Sequence, residues 1–469
     1  MSGGGAPATG NGNDGGAPTT GNGNDGGAPT TGNGSDGSPG GGRATLHVPM
    51  LARVEGEGAM HVLVEGGQVT EVELRIFEPP RFFEALLRGR SFTEPPDITA
   101  RICGICPVAY QMSACQAIED ACGVTVPPPL QDLRRLLYCG EWIESHALHI
   151  YLLHAPDFLG YESAIELARD RRDLVERGLR LKKAGNAIMT VVGGRSIHPV
   201  NVRVGGFYRL PTAAELSGLR ATLTDALADA LATVETVAGF DFPDFTQDCE
   251  YVSLRPAHGY PIEAGQVVTS GGLSFPAAEF DAHVTEEHVA HSNALHARLH
   301  GTDPYLTGPL ARYSLNSAAL SPLAAEAARA AGLGAVCRNP FRSIIVRAVE
   351  ATYAVEEALR IIGAWAGAAA PSVPVEPRAG TGYGVTEAPR GVLYHRYRLA
   401  ADGTITDARI VPPTSQNQVS IEHDLRAFVQ PRLGLPPDEL TRQCEQAIRN
   451  YDPCISCATH FLDLTVEHR

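Results

Sequence analysis

The sequence predicts a mainly α protein, a long-helix bundle core with small peripheral β elements. Three observations carry that prediction. Several long stretches after residue 107 repeat apolar residues every three or four positions, which places them on one helical face. A stretch near the start alternates apolar and polar residues, as a half-buried strand does. A second strand pair is marked by an Asp402-Gly403 turn. With 43% apolar residues in 469, the chain can bury a large core.

Residues 1–42 come first and differ from the rest. The unit GGAPATGNGND runs from Gly4 to Asp14 and recurs with small changes at 15–25 and 26–36. It has no aromatic residue and almost nothing to bury, so a disordered Gly/Asn/Thr-rich repeat tail is expected. The folded domain is expected over 43–460. Residues 45–78 read as strands, with Glu65-Gly66-Gly67 as a hairpin turn. From 107 onward the pattern reads as largely helical, with helices at 107–121, 132–155, 213–237, 340–366 and 437–451. Residues 377–413 read as a hairpin around Asp402-Gly403.

The formal charge of −15 argues against a nucleic-acid partner, which calls for clustered Lys and Arg. No apolar run approaches the ~18–20 residues of a membrane span. No basic-then-apolar leader is visible, and a cytoplasmic location is expected. The ten cysteines are too few for a disulfide scaffold in a chain this long. Six of them, Cys115, Cys122, Cys139, Cys249, Cys337 and Cys444, stand alone and read as small buried hydrophobes.

The other four form two Cys-x-x-Cys pairs, the usual spacing for metal or redox work. In Arg101-Ile102-Cys103-Gly104-Ile105-Cys106-Pro107 a turn at Gly104 leads into a helix with Pro107 at its first position. In Asp452-Pro453-Cys454-Ile455-Ser456-Cys457, Asp452 reads as an N-cap and Pro453 as the first helical residue. Helix N-termini favour thiolate, the species that binds metal. Zinc ribbons keep their pairs ~12–20 residues apart. Cys106 and Cys454 are 348 positions apart, which suits a buried catalytic centre better than a staple, while structural zinc stays open.

RICGICP and DPCISCATH resemble the paired signatures of nickel–iron hydrogenase large subunits. The resemblance continues through Arg53-Val54-Glu55-Gly56, Arg81-Phe82-Phe83-Glu84, Gly193-Gly194-Arg195-Ser196-Ile197-His198-Pro199, Glu387-Ala388-Pro389-Arg390-Gly391 and Val411-Pro412-Pro413-Thr414. It favours the cytoplasmic NAD(P)-linked branch, the sulfhydrogenase alpha subunits. The related quinone-site subunit of respiratory complex I lacks these cysteines.

The resemblance implies that Cys103 and Cys454 are terminal nickel ligands and that Cys106 and Cys457 bridge nickel and an iron carrying CO and cyanide. Soft thiolates suit both metals. It implies Glu84 and His460 as ligands of a magnesium-type ion, and Pro412 and Thr414 as neighbours of the iron's diatomic ligands. Arg390 would overhang the open coordination site or orient Asp452. Glu55 would take the proton from Cys454 when H2 is cleaved heterolytically. Three positions depart from the commoner pattern: Ser145 for an aspartate, Pro413 for a Ser or Thr, and Tyr110 for a histidine.

The chain has no further cysteine constellation for an iron–sulfur cluster and no dinucleotide fingerprint. The implied partners are therefore an iron–sulfur small subunit, flavin (FAD) and NAD(P)-binding diaphorase subunits, a maturation protease and nickel-insertion proteins. The alternative is a metal-free or zinc-bound structural subunit of a complex I-like electron-transfer complex.

In the family His460 ends the mature chain, and nine residues, 461–469, follow it here. An edge strand is the plain reading of Phe461-Leu462-Asp463-Leu464-Thr465-Val466. Asp463 and Glu467, however, would be costly to carry towards a buried site. Active protein is expected to end at His460, and intact-mass measurement checks it: a nickel-loaded, fully active chain ending at Arg469 would refute the processing.

Overall fold

A computed structural model describes residues 43–459 apart from positions 247 and 303. The expected tail, His460 and the extension 461–469 lie outside the described residues.

The strand reading of 45–78 resolves into β1 (Arg43–Val48), β2 (Gly58–Glu65) and β3 (Gln68–Ile76), an antiparallel sheet in that order. Gly66 and Gly67 have φ of 58° and 77° between the paired Glu65 and Gln68. Two successive positive φ values are what a two-residue hairpin turn of matching twist demands. Residues 49–57 form a loop between β1 and β2, and that loop carries Glu55.

The bundle consists of α1 (Pro107–Cys122), α2 (Pro128–Leu148), α3 (Arg172–Gly193), α4 (Ala213–Ala238), α5 (Pro309–Asn316), α6 (Ser343–Ala364), α7 (Pro413–Val429) and α8 (Pro437–Arg449). A last short helix, α9, spans Ile455–Ala458. The helix expected over 132–155 is present, but α2 continues beyond Leu148 as a π-turn, His149–His154. α4 opens with a capping box, Thr212 and Glu215 each bonding the other's backbone amide.

Helix α3 was not foreseen, because its buried face includes glycines that weaken a helical signal. They are there for the packing. A Cβ on Gly185 would stand 2.5 Å from the Gly140 carbonyl oxygen and 2.7 Å from the Glu144 amide, so α2 and α3 meet backbone to backbone. Helix α7 escaped for a different reason. Its buried face is polar, with Thr414, Ser415, Gln416, Asn417, Gln418 and Ser420 all enclosed. Asn417 brackets Thr307, accepting from its amide at 2.9 Å and donating to its carbonyl at 3.2 Å. Ser420 donates to Tyr305 at 2.6 Å and Gln416 to Val392 at 2.6 Å.

The largely helical reading after 107 is corrected between 250 and 307. Strands β4 (Glu250–Arg255), β5 (Gln266–Thr269) and β6 (Ser274–Phe275) pair in succession, β7 (Val284–Val289) and β8 (Ser292–Leu299) form a hairpin, and β9 (Tyr305–Thr307) lies parallel to β4. Strands of two to eight residues are too short for their period to stand out. The single hairpin expected over 377–413 is three-stranded: β10 (Gly380–Ala388), β11 (Gly391–Leu399) and β12 (Ile405–Val411). β10 lies directly on α1, where a Cβ on Gly382 or Gly384 would run into the carbonyls of Ala117 and Ser113. Pro389 and Arg390 form the turn between β10 and β11.

Replacing Gly185 by Ala should lower stability by about 1–3 kcal/mol, because backbone atoms cannot step aside. Gly218→Ala on α4, with nothing within 4 Å, should leave stability unchanged or raise it slightly. Thermal unfolding of the two variants checks the contrast.

Candidate metal centre

The first cysteine pair is built much as its residues suggest. A 3-10 turn, Ala100–Ile102, ends on Cys103 in extended conformation, the chain bends at Gly104, and Cys106 caps α1 with Pro107 at its first position. The first free amides of α1, Val108 and Ala109, donate to Glu141 of α2 at 2.6 and 3.1 Å. Glu141 therefore fixes the helix end from which Cys106 projects.

The second pair departs from expectation. Asp452 does not cap a helix; it has a left-handed φ of 50°, and α9 begins only at Ile455 with Cys454 as its N-cap. The carboxylate is taken elsewhere. Arg390 donates from Nη2 to Asp452 Oδ1 at 3.1 Å and from Nε to the Asp452 carbonyl at 2.9 Å. Cys454 sits in an isolated parallel bridge with Glu55, its amide donates to Thr414 Oγ1 at 3.0 Å, and the Ile455 amide donates to the Glu55 carbonyl at 3.0 Å.

These two local structures bring all four sulfurs within 4.8 Å of one another, buried and without disulfides. Cys103 and Cys454 are 3.4 Å apart, Cys106 and Cys457 3.5 Å, and Cys454 and Cys457 2.8 Å. Hydrogen bonds from Cys106, Cys454 and Cys457 hold the Cys103 thiol well below its usual range, while burial pushes Cys454 well above. One thiolate can be solvated by three thiols, but four thiolates here require metal cations. Arg390 adds positive charge. Although burial opposes it, Asp452 and the sulfurs of Cys454, Cys106 and Cys103 hold its guanidinium well above the ordinary value. Its Nη1 has no hydrogen-bond partner among the described residues.

The family model described as nickel-dependent hydrogenase matches residues 81–177 and 307–460. The chain is 34% identical over 422 residues to sulfhydrogenase 1 subunit alpha of Pyrococcus furiosus, covering 88% of this chain and 97% of that protein. It belongs to the nickel-dependent hydrogenase large-subunit family. It is 29% identical over 476 residues to the NAD-reducing hydrogenase HoxS subunit beta of Cupriavidus necator, covering 89% and 95% of the two chains. A crystal structure of NAD+-reducing [NiFe]-hydrogenase in the H2-reduced state superposes with a TM-score of 0.80 at 27% identity, over 89% of this chain and 99% of that one. As a hydrogenase large subunit the chain is an oxidoreductase, and the structural-subunit alternative loses its support.

Around the hydrogenase centre, Glu55 stands closest. Its Oε2 accepts from Cys454 Sγ at 3.1 Å and from the Ser456 amide at 3.0 Å. Burial and then the charge of Cys103 raise its carboxyl, against those hydrogen bonds. Pro412 caps α7, Pro413 is its first residue, and Thr414 faces Cys454. Ser145 is buried, and its hydroxyl has no partner among the described residues. Tyr110 is buried with its ring 5.7 Å from that of His395. Glu84 accepts from the Ile410 amide at 2.7 Å, and burial pushes its carboxyl up to about 7. His460, its expected companion, is outside the described residues. The six solitary cysteines are all buried and free, and burial pushes Cys115 and Cys444 up to about 12, as inert core thiols require.

Two supports went unread in the sequence. Arg81 ties the pairs together, donating from Nη2 to the Ile102 carbonyl at 2.6 Å and to the Ser456 carbonyl, while its amide donates to Thr459 at 2.7 Å. It opens the Arg81-Phe82-Phe83-Glu84 signature, but only the fold brings Ile102 and Ser456 to it. The second support is a fully enclosed ionic cluster. Arg312 of α5 donates to Glu350 at 2.9 and 2.8 Å, to Glu387 at 3.0 Å, and to the carbonyls of Ala388 and Pro389 at 2.7 and 2.8 Å. It thereby holds the turn that presents Arg390. Although burial opposes it, Arg312 holds Glu350 down at about 2; burial pushes Glu387 up to about 7 despite the same arginine. His146 reaches Glu350 at 3.0 Å, Tyr260 donates to it at 2.8 Å, and Trp142 lies 4.5 Å under the guanidinium. Nothing around Arg312 in the sequence marks it.

Arg312→Met would leave two buried carboxyls without their cation, and a loss of about 3–5 kcal/mol is expected. Thermal unfolding and soluble yield measure it. Cys115→Ser, by contrast, should leave hydrogenase activity within a few-fold.

Proposed function

We propose that this hydrogenase subunit catalyses reversible heterolytic cleavage of H2 and passes the electrons through an iron–sulfur small subunit and FAD-containing diaphorase subunits to NAD(P). The observation that carries the reading is the set of four converging buried sulfurs with a carboxylate 3.1 Å from one of them. Cys103 and Cys454 would be terminal ligands of nickel, and Cys106 and Cys457 would bridge it to an iron bearing CO and cyanide. Bound there, the Ni–Fe centre supplies the two-electron chemistry of H2 splitting.

The chain's own residues then manage charge and protons. Cys454 Sγ is the atom at which a proton can be held, and Glu55 Oε2 is within reach to receive it. The raised pKa of Glu55 suits an acceptor that must also give the proton up. Arg390 fixes a positive charge over the sulfurs, with Asp452 holding its fork in one orientation. Thr414 stands beside Cys454, accepting from its amide, and Pro412 opens the helix that carries Thr414. Burial of Cys454, Arg390, Asp452 and Thr414 excludes water from them, which strengthens each electrostatic contact.

Glu84, with His460, would hold a magnesium ion near the chain's end; a divalent cation would offset the burial that raises Glu84. Sulfhydrogenase and NAD-reducing relatives support the NAD(P) link and the heteromeric partners. Among the described residues no helix is long and apolar enough to cross a membrane. The complex would be cytoplasmic and served by nickel-insertion proteins and a maturation protease.

Metal analysis of the native complex tests the reading: nickel near one per large subunit, iron well in excess of it because the partner clusters add their own, and H2-dependent NAD(P) reduction are expected, and zinc in place of nickel would overturn it. Cys454→Ser should abolish H2-dependent dye reduction. Glu55→Gln and Arg390→Lys should keep nickel and iron but lower turnover by roughly two orders of magnitude or more. Near-normal turnover in either would remove that residue from the mechanism.

A further inference from the structure

Away from the four cysteines, two histidines and a glutamate converge. His291 lies in the turn between β7 and β8, His296 on β8, and Glu422 on α7. One ligand atom from each lies within 4.8 Å of the other two. The imidazole rings are 5.4 Å apart at 79°. We propose that His291, His296 and Glu422 form a second metal site, for one divalent ion of the zinc class, which pins the β7–β8 hairpin to α7.

Two independent observations point to a ligand rather than to packing alone. His296 is only 2% exposed, yet its Nε2 has no hydrogen-bond partner among the described residues. A buried imidazole nitrogen without a partner is costly unless something binds it. Glu422 is the second. Its Oε1 accepts from the Leu74 amide at 2.8 Å and lies 2.8 Å from His291 Nε2, a contact that an ion bound to that nitrogen would replace, and no hydrogen bond among the described residues uses its Oε2. One carboxylate oxygen is therefore anchored to β3 while the other can serve as a ligand. Behind His291, Glu73 Oε1 stands 3.8 Å from Nδ1, the place where an outer carboxylate orients a metal-binding ring.

The donor set selects the ion. Two imidazoles and one carboxylate suit zinc and its neighbours in the transition series, and an all-oxygen cage for calcium or magnesium is not available from these residues. The site shares no ligand with the cysteine cluster or with Glu84. Its position gives it a structural role, since α7 carries Thr414 against Cys454 and no other covalent or coordinate tie joins the hairpin to that helix among the described residues.

The test uses the native hydrogenase complex, washed with chelator and then given Zn2+ alone. One zinc per large subunit, in addition to nickel and iron, is expected by elemental analysis. The retained zinc should fall at least fivefold in His296→Ala and His291→Ala, and in Glu422→Gln, which keeps an oxygen for the Leu74 amide. Nickel and iron contents report whether each variant is folded. If His296→Ala loses them as well, the turn variant His291→Ala and Glu422→Gln decide the matter. No retained zinc in the wild-type complex, or equal zinc in folded variants, would overturn the proposal.

Discussion

Four sulfurs held within 4.8 Å of one another in a dry interior set the terms for the rest of this protein. Thiolates at such separations repel, and burial removes the water that would screen them. Metal cations can answer that repulsion only if the sulfurs are held in place against it, so the surrounding chain must be rigid. Arg81 fixes one pair to the other through Ile102 and Ser456, Glu141 fixes the start of α1, and Thr414 fixes the Cys454 amide. Each contact satisfies a backbone group that would otherwise be buried without a partner. The same bonds that make the loops foldable thus make the cluster.

Charge around the sulfurs is arranged in successive layers. Arg390 lies against the cluster and is oriented by Asp452. The turn that carries it is held from behind by Arg312, which is itself balanced by Glu350 and Glu387. Further back, Ser343 and Arg347 of α6 bond the Asn450 carbonyl at 2.8 and 3.0 Å, two residues before Asp452. Buried ion pairs contribute little net stability compared with apolar packing. Their value here is directional, because each guanidinium admits one orientation only.

Much of the fold was legible where the signal is local. The Gly66-Gly67 turn, the long amphipathic helices and the turn–helix form of the first cysteine pair all follow from neighbours in sequence. Helix α7 was hidden because its enclosed face is polar, and polarity normally marks exposure. The strands between 250 and 307 were hidden by their shortness. Asp452 was misplaced because an Asp before a Pro is a good helix cap, and a partner 62 residues away took its carboxylate instead.

The sequence by itself determined the chemistry of the centre: four soft ligands in two x-x-spaced pairs, and the family signatures that surround them. It could do so because the residue types and their near spacing are written in short segments. The family resemblance implied that Glu55 serves Cys454; only the tertiary structure decided that Arg81 spans both pairs and that Arg312 stands behind Arg390. Those contacts join residues tens to hundreds of positions apart, and such pairings follow from how whole helices and sheets pack.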